Sequence, residues 1–200
     1  MKYIKLLQLV SLLVAVLGFC LSYLVTSQNW IDQPIIFALS NFLSYFTVQS
    51  NILAIASLII MLTNSKSKLW RLIKFGTAVN ITITLITYWL FLSYSVPYFG
   101  LAQVTNLLIH LIIPFLYIAN WLLYSPKHID YKDAFIWMIY PLSYYLIFCL
   151  IKGLATNWYP YYFVDLNQFT FIQTLPYVIT VAAFFLCISL IFVKIGKLRT

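Results

Sequence analysis

Charge is scarce in this chain. Lys and Arg number 12 and Asp and Glu only 4 among 200 residues, so 8% of the sequence is charged, against roughly 25% in ordinary soluble domains. With 64% hydrophobic residues, so little charge leaves too few polar groups to clothe a water-facing surface. That excludes a soluble globular fold. Metal and cofactor chemistry also lack their raw material. No cluster of His, Cys, Asp or Glu offers the three or four convergent ligands that zinc needs. The two histidines, His110 and His128, are 18 positions apart, which is ~27 Å along a continuous helix and too far to share one haem iron. Cys20, Cys149 and Cys187 are an odd number in apolar stretches and read as buried small hydrophobes. With five glycines the chain has no Gly-rich phosphate loop, and it carries no internal repeat, low-complexity segment or nucleic-acid motif. No cofactor is expected.

Long apolar runs are abundant. Crossing ~30 Å of hydrocarbon takes about 20 residues of helix, and six runs qualify: Ile4 to Val25, Phe42 to Leu62, Leu72 to Tyr94, Leu101 to Leu123, Ala134 to Ile151 and Phe171 to Val193. The first is longer than a signal-peptide core and no small-residue cleavage pattern follows it, so it is read as a span. The loops are too short for a separate soluble domain. The expected fold is an all-α membrane protein, a single six-helix domain over residues 1–200, multi-pass in the cell membrane with membrane lipids as its surroundings.

The basic residues set the expected orientation. With the N-terminus inside, the cytoplasmic side collects Lys2, Lys5, Lys66, Lys68, Arg71, Lys74, Lys127, Lys132, Lys194, Lys197 and Arg199, leaving only Lys152 outside. The positive-inside rule then puts both termini in the cytoplasm. The same clusters account for the +8 net charge through anionic headgroups, without nucleic acid.

Polar residues inside the spans mark faces that must meet protein or enclosed water. In the second span Ser40, Ser44, Thr47 and Asn51 recur at i, i+4, i+7 and i+11 with Ser50 beside them, while Gln49 points elsewhere. The third carries Thr77, Asn80, Thr84 and Thr87; the fourth Asn106, His110, Pro114, Tyr117 and Trp121; the sixth Gln173, Tyr177 and Thr180. Four polar seams are thus expected to face a common interior. Most such Ser and Thr bond their own i−4 carbonyl or join helices at roughly 0.6 kcal/mol per contact. His110 differs, because an ionisable group deep in a span is a functional-site candidate by default. Counted inward from the same side, Thr47 and His110 differ in depth by only ~6 Å, so the two are able to meet. A neutral imidazole in reach of a threonine hydroxyl can take its proton and make it a nucleophile. Ser50 and Asn51, three and four residues on, are candidate donors to an oxyanion, and Asn80 and Tyr117 candidate pocket residues.

Four segments carry a resemblance: YFTVQSN from Tyr45 to Asn51, HLIIP from His110 to Pro114, YPLSY from Tyr140, and KGLATNWYPYYFVD from Lys152 to Asp165. Together they resemble the androgen-induced-gene family of integral membrane hydrolases, above all its bacterial six-helix relatives. The resemblance implies Thr47 as nucleophile and His110 as base in hydrolysing a fatty acyl ester, a lipid substrate of the kind exemplified by fatty acid esters of hydroxy fatty acids. The aromatic run Trp158 to Phe163 suits either an interfacial belt or a lid over the site, with Trp158 and Tyr159 as candidate lid residues. Asp165 is a candidate orienter of the histidine, or a partner for Lys152 across the loop. A small transporter and a non-catalytic scaffold remain the alternatives to a hydrolase.

Overall fold

The least apolar of the long helices is the most enclosed. The computed structural model describes residues 2–63, 67–93, 99–124 and 129–198. Lys66, Lys127, His128 and Arg199, and Tyr94 at the expected end of the third span, lie outside the described residues. Among the described residues all regular structure is helical. The helices are α1 (Lys2–Ser27), α2 (Ile35–Ser44), α3 (Phe46–Leu62), α4 (Lys68–Leu92), α5 (Leu101–Leu123), α6 (Tyr131–Thr156) and α7 (Phe171–Leu198). Five of them are long and apolar enough to cross a membrane, and the bent pair α2 and α3 makes a sixth candidate.

α4 packs against α3, α5, α6 and α7, and every residue from Lys74 to Thr84 is buried. Most of its polar donors are spent inside: Thr77, Thr82 and Thr87 each donate to a carbonyl four residues back, and Asn80 donates to Gly76 O at 2.9 Å. α1 and α7, by contrast, expose Leu, Val and Ile, including Leu13, Leu17, Ile179 and Ile191. Apolar residues outside and polar ones within is the pattern of a solvent that cannot hydrogen-bond. Close approach is secured by small residues. A Cβ on Gly76 would collide with the Trp137 ring of α6, and one on Gly18 with Ile113 of α5.

The second span is not one continuous helix. α2 and α3 meet at an 80° bend, where Tyr45 takes an extended conformation (φ −72°, ψ 128°). Ser40 and Ser44 therefore belong to a different axis from Thr47 and Asn51, and the single stripe expected across Tyr45 is broken. The sixth-span row is corrected as well. Gln173, Tyr177 and Thr180 are exposed, while the inner face of α7 is formed by Thr174, Phe185, Ser189 and Phe192. Of the cysteines only Cys149 is buried; Cys20 and Cys187 face outward among apolar neighbours.

The helices also cease to be regular at particular places. α4 is π-helical over Tyr88–Leu92, α5 over Leu108–Ile112 and α6 over Tyr145–Ile151. π-turns inside α-helices concentrate at functional sites. The π-turns of α4 and α6 and the Tyr45 bend contribute Phe91, Leu92, Tyr145, Cys149 and the flanking Phe46 and Thr47 to one cavity, and the π-turn of α5 sets His110 just behind it.

Candidate functional site around Thr47 and His110

The π-turn in α5 has a visible cause. Pro114 has no N–H to return to the carbonyl four residues back, so His110 O loses its regular helical partner. The indole Nε1–H of Trp89, from the π-turn of α4, donates to that carbonyl at 3.2 Å. The widened turn carries the imidazole against α3.

There the Thr47 hydroxyl and His110 Nε2 are 3.2 Å apart. The opposite nitrogen, Nδ1, is 3.2 Å from the backbone carbonyl of Asn106. A carbonyl can only accept, so Nδ1 bears the hydrogen and Nε2 presents its lone pair to the threonine. The ring is further held by Tyr88, stacked on it with centroids 3.7 Å apart and planes 17° from parallel. The Tyr88 hydroxyl in turn accepts from the side-chain amide of Asn106. One residue, Asn106, thus positions the imidazole through its carbonyl and the stacking ring through its amide.

Thr47 sits in the first turn of α3, with the bend behind it. That placement frees its hydroxyl from the usual helical fate. Ser50, one turn on, donates to Phe46 O at 2.8 Å, whereas the Thr47 hydroxyl turns to another helix. The first amides of α3, which lack intrahelical acceptors, face phenols. Tyr144 of α6 packs edge-on against Phe46, its phenol facing the start of α3, and donates to Ser44 O at 2.7 Å, bridging the bend. Tyr161, from the segment between α6 and α7, stands beside Thr47 on the cavity wall with its phenol toward the Thr47 hydroxyl and N–H. Burial pushes the Tyr161 phenol above its ordinary value, with the two Thr47 hydrogen bonds pulling the other way. On balance it stays a neutral O–H.

Beside Thr47 lies a cavity of about 90 Å³, walled by Phe46, Tyr144, Tyr145, Cys149, Tyr161 and Phe185 among others. Phe91, Phe163 and Val181 border both this cavity and an outer groove of about 360 Å³ that runs past Pro176, Tyr177 and Thr180. The walls are overwhelmingly hydrocarbon and aromatic, the lining expected for an acyl chain.

The other candidates fall elsewhere. Asn51 donates to Thr47 O at 2.8 Å and to Ile109 O at 3.3 Å, tying α3 to the π-turn of α5. Asn80 bonds within α4, and Tyr117 donates to Lys74 O at 3.1 Å, nearer the basic end. None of Ser50, Asn51, Asn80 and Tyr117 lines the cavity. Asp165 accepts from Asn167 N and Gln168 Nε2 at 2.8 and 2.9 Å, closing its own turn rather than orienting His110. Nor does Lys152 reach across to Asp165. Its ammonium donates to Ser40 O, Asn41 Oδ1 and Ser44 Oγ, clamping the end of α2 where helix carbonyls lack partners. Trp158 packs edge-on against Tyr45 and Trp30 and lies over the Lys152 ammonium, and Tyr159 fills the space above Gly153. These two secure the loop; Tyr161, Phe163 and Val164 are the loop residues that enter the cavity wall.

Tyr161 and the histidine's support by Asn106, Tyr88 and Trp89 escaped the sequence reading. Only the aromatic density of WYPYYF signalled the first. Family models, curated proteins and solved structures were all compared with the chain, and none matches.

Proposed function

We propose that this chain is a multi-pass cell-membrane hydrolase of lipophilic acyl esters, with Thr47 as nucleophile and His110 as general base. The observation that carries the reading is the Thr47 hydroxyl 3.2 Å from an imidazole nitrogen whose tautomer leaves it free to accept, at the wall of an apolar cavity. The resemblance of YFTVQSN and HLIIP to the membrane hydrolase family supports the same pair. In this reading Thr47 Oγ attacks the ester carbonyl carbon while its proton passes to Nε2 of His110 and the carbonyl π pair moves onto oxygen. Collapse breaks the bond to the alcohol, which leaves with the proton from Nε2. Water then gives a proton to His110 and its oxygen to the acyl carbon; the acyl–threonine bond breaks and Thr47 recovers its proton. The sum is ester plus water to acid plus alcohol.

Orientation belongs to the proposal too. The N-terminus of α1, the C-terminus of α7 and the basic residues Lys68, Arg71 and Lys132 occupy one end of the helix array, and the positive-inside rule puts that end in the cytoplasm. The Thr47 site and its groove, toward the other end, would then open to the outer leaflet.

The test is covalent. Purified protein in detergent, incubated with a fluorophosphonate carrying an alkyl chain, is expected to label at Thr47. Labelling is expected to vanish in Thr47→Ala and fall steeply in His110→Ala while both variants keep the wild-type elution profile and melting temperature to within a few degrees. Undiminished labelling of both variants overturns the assignment.

A further inference from the structure

An acyl-transfer site needs donors aimed at the carbonyl oxygen as it becomes negative, and such donors are commonly worth 10²–10³ in rate, about 3 to 4 kcal/mol. The side chains first expected to serve, the Ser50 hydroxyl and the Asn51 amide, are committed to carbonyls of their own and neighbouring segments. A different group stands in the right place. Tyr161 reaches the cavity from the loop between α6 and α7 and shares its wall with Thr47, the phenol turned toward the hydroxyl and backbone N–H of that residue. Its ring is fixed by an edge-on contact with Tyr45 at 5.9 Å and by stacking on Phe163 at 5.4 Å. The rings that hold it are therefore those of the bend and of the cavity wall.

We infer that Tyr161 is the side-chain oxyanion donor of this site, acting together with the backbone N–H of Thr47. This rests on the acyl-ester hydrolase reading. A carbonyl oxygen arriving from the cavity inserts between the Thr47 N–H and the Tyr161 hydroxyl and takes a hydrogen bond from each. When Thr47 Oγ bonds to the carbonyl carbon and its proton moves to His110 Nε2, the electron pair on the carbonyl oxygen is held by those two donors. No proton leaves Tyr161, because a phenol kept neutral by burial donates without ionising. When the alcohol departs with the proton from Nε2, the carbonyl re-forms and both hydrogen bonds weaken. The Thr47 N–H is available because it lies in the first turn of α3, and it is oriented because Tyr45 breaks the chain one residue before that helix begins.

The experiment uses two probes of equal chain length bound to the full-length protein in detergent. An alkyl trifluoromethyl ketone adds a threonine hydroxyl to give a tetrahedral oxyanion; the corresponding trifluoromethyl carbinol fills the same space without forming one. Wild type is expected to bind the ketone far more tightly than the carbinol, and Thr47→Ala to abolish that preference. In Tyr161→Phe, which keeps the ring, the preference for ketone is expected to fall ~100-fold with carbinol affinity unchanged. Tyr161→Phe retaining the ketone preference, or losing affinity for both probes equally while keeping the wild-type melting temperature, overturns the role of Tyr161 and leaves the hydrolase reading standing. A wild type with no ketone preference overturns both. The unchanged carbinol affinity is also the check that the variant is folded.

Discussion

Two buried polar regions occupy this helix array, and they treat hydroxyl groups differently. Nearer the basic end, Ser57, Thr77 and Tyr117 form a closed set: the Tyr117 hydroxyl donates to Lys74 O, its oxygen is 2.5 Å from the Ser57 hydroxyl, and Thr77 bonds Ile73 O as well as Tyr117. All three residues stand on regular α-helix, and none lines the cavity beside Thr47. At the other end the helices are bent at Tyr45 and widened at Tyr88–Leu92, Leu108–Ile112 and Tyr145–Ile151. There Thr47 pairs with His110 and faces Tyr161 at the edge of empty space. A regular helix offers a hydroxyl its own i−4 carbonyl, which satisfies it and silences it. Breaking the helix removes that partner, so the hydroxyl must find another. The irregular end leaves a hydroxyl facing a cavity, whereas the regular end closes its hydroxyls on partners of their own.

Substitutions can break that contrast. The largest effect is expected from Thr47→Ala, which should cut the rate of fluorophosphonate labelling by at least ~10³-fold, measured by gel fluorescence. Its counterpart Tyr117→Phe should leave labelling intact and lower stability, because Ser57 and the Lys74 carbonyl each lose a buried partner, at about 1–3 kcal/mol. Thermal unfolding in detergent reads that loss. Equal loss of labelling in the two would erase the distinction between the regions. A smaller effect is expected at the π-turn. Pro114→Ala restores an N–H able to close a regular bond to His110 O in competition with Trp89, straightening the turn and withdrawing the imidazole. Labelling should fall ~10-fold, about 1.4 kcal/mol, with the melting temperature maintained or raised, since alanine suits a helix better than proline. The smallest effect belongs to Asp165→Asn. Its carboxylate closes an exposed turn with Asn167 and Gln168, so labelling should stay within about 2-fold of wild type, in keeping with the ~0.5 kcal/mol typical of surface changes.

Apolar run length is a local property, so the long helices were readable as strings of Leu, Ile and Phe. Each of the six expected runs corresponds to a helix or bent pair long and apolar enough to cross a membrane. Thr47 and His110 were also singled out correctly as residues able to meet, because both stand at similar depth on polar faces, and their side chains are 3.2 Å apart. The stripe joining Ser44 to Thr47 misled, since it assumed a helix running through Tyr45. No proline or glycine marks that break. It is held from outside, by Tyr144 on Ser44 O and by Lys152 on Ser40 O and the side chains of Asn41 and Ser44. The row at Gln173, Tyr177 and Thr180 misled for a related reason, because periodicity tells which residues share a face and not which way the face turns.

By itself, then, the sequence determined where the long apolar runs lie, which residues must avoid lipid, and that one threonine and one histidine deserve to be tested together. Tertiary structure alone decided that the second span bends, that a missing N–H at Pro114 turns His110 toward α3, and that Tyr161 returns from a loop to the amide of Thr47. The physical reason is reach. Hydropathy and period act over one turn of one helix, whereas the orphaned amides and carbonyls at a break are satisfied by side chains about 100 residues away in the chain, as Tyr144 is from Ser44.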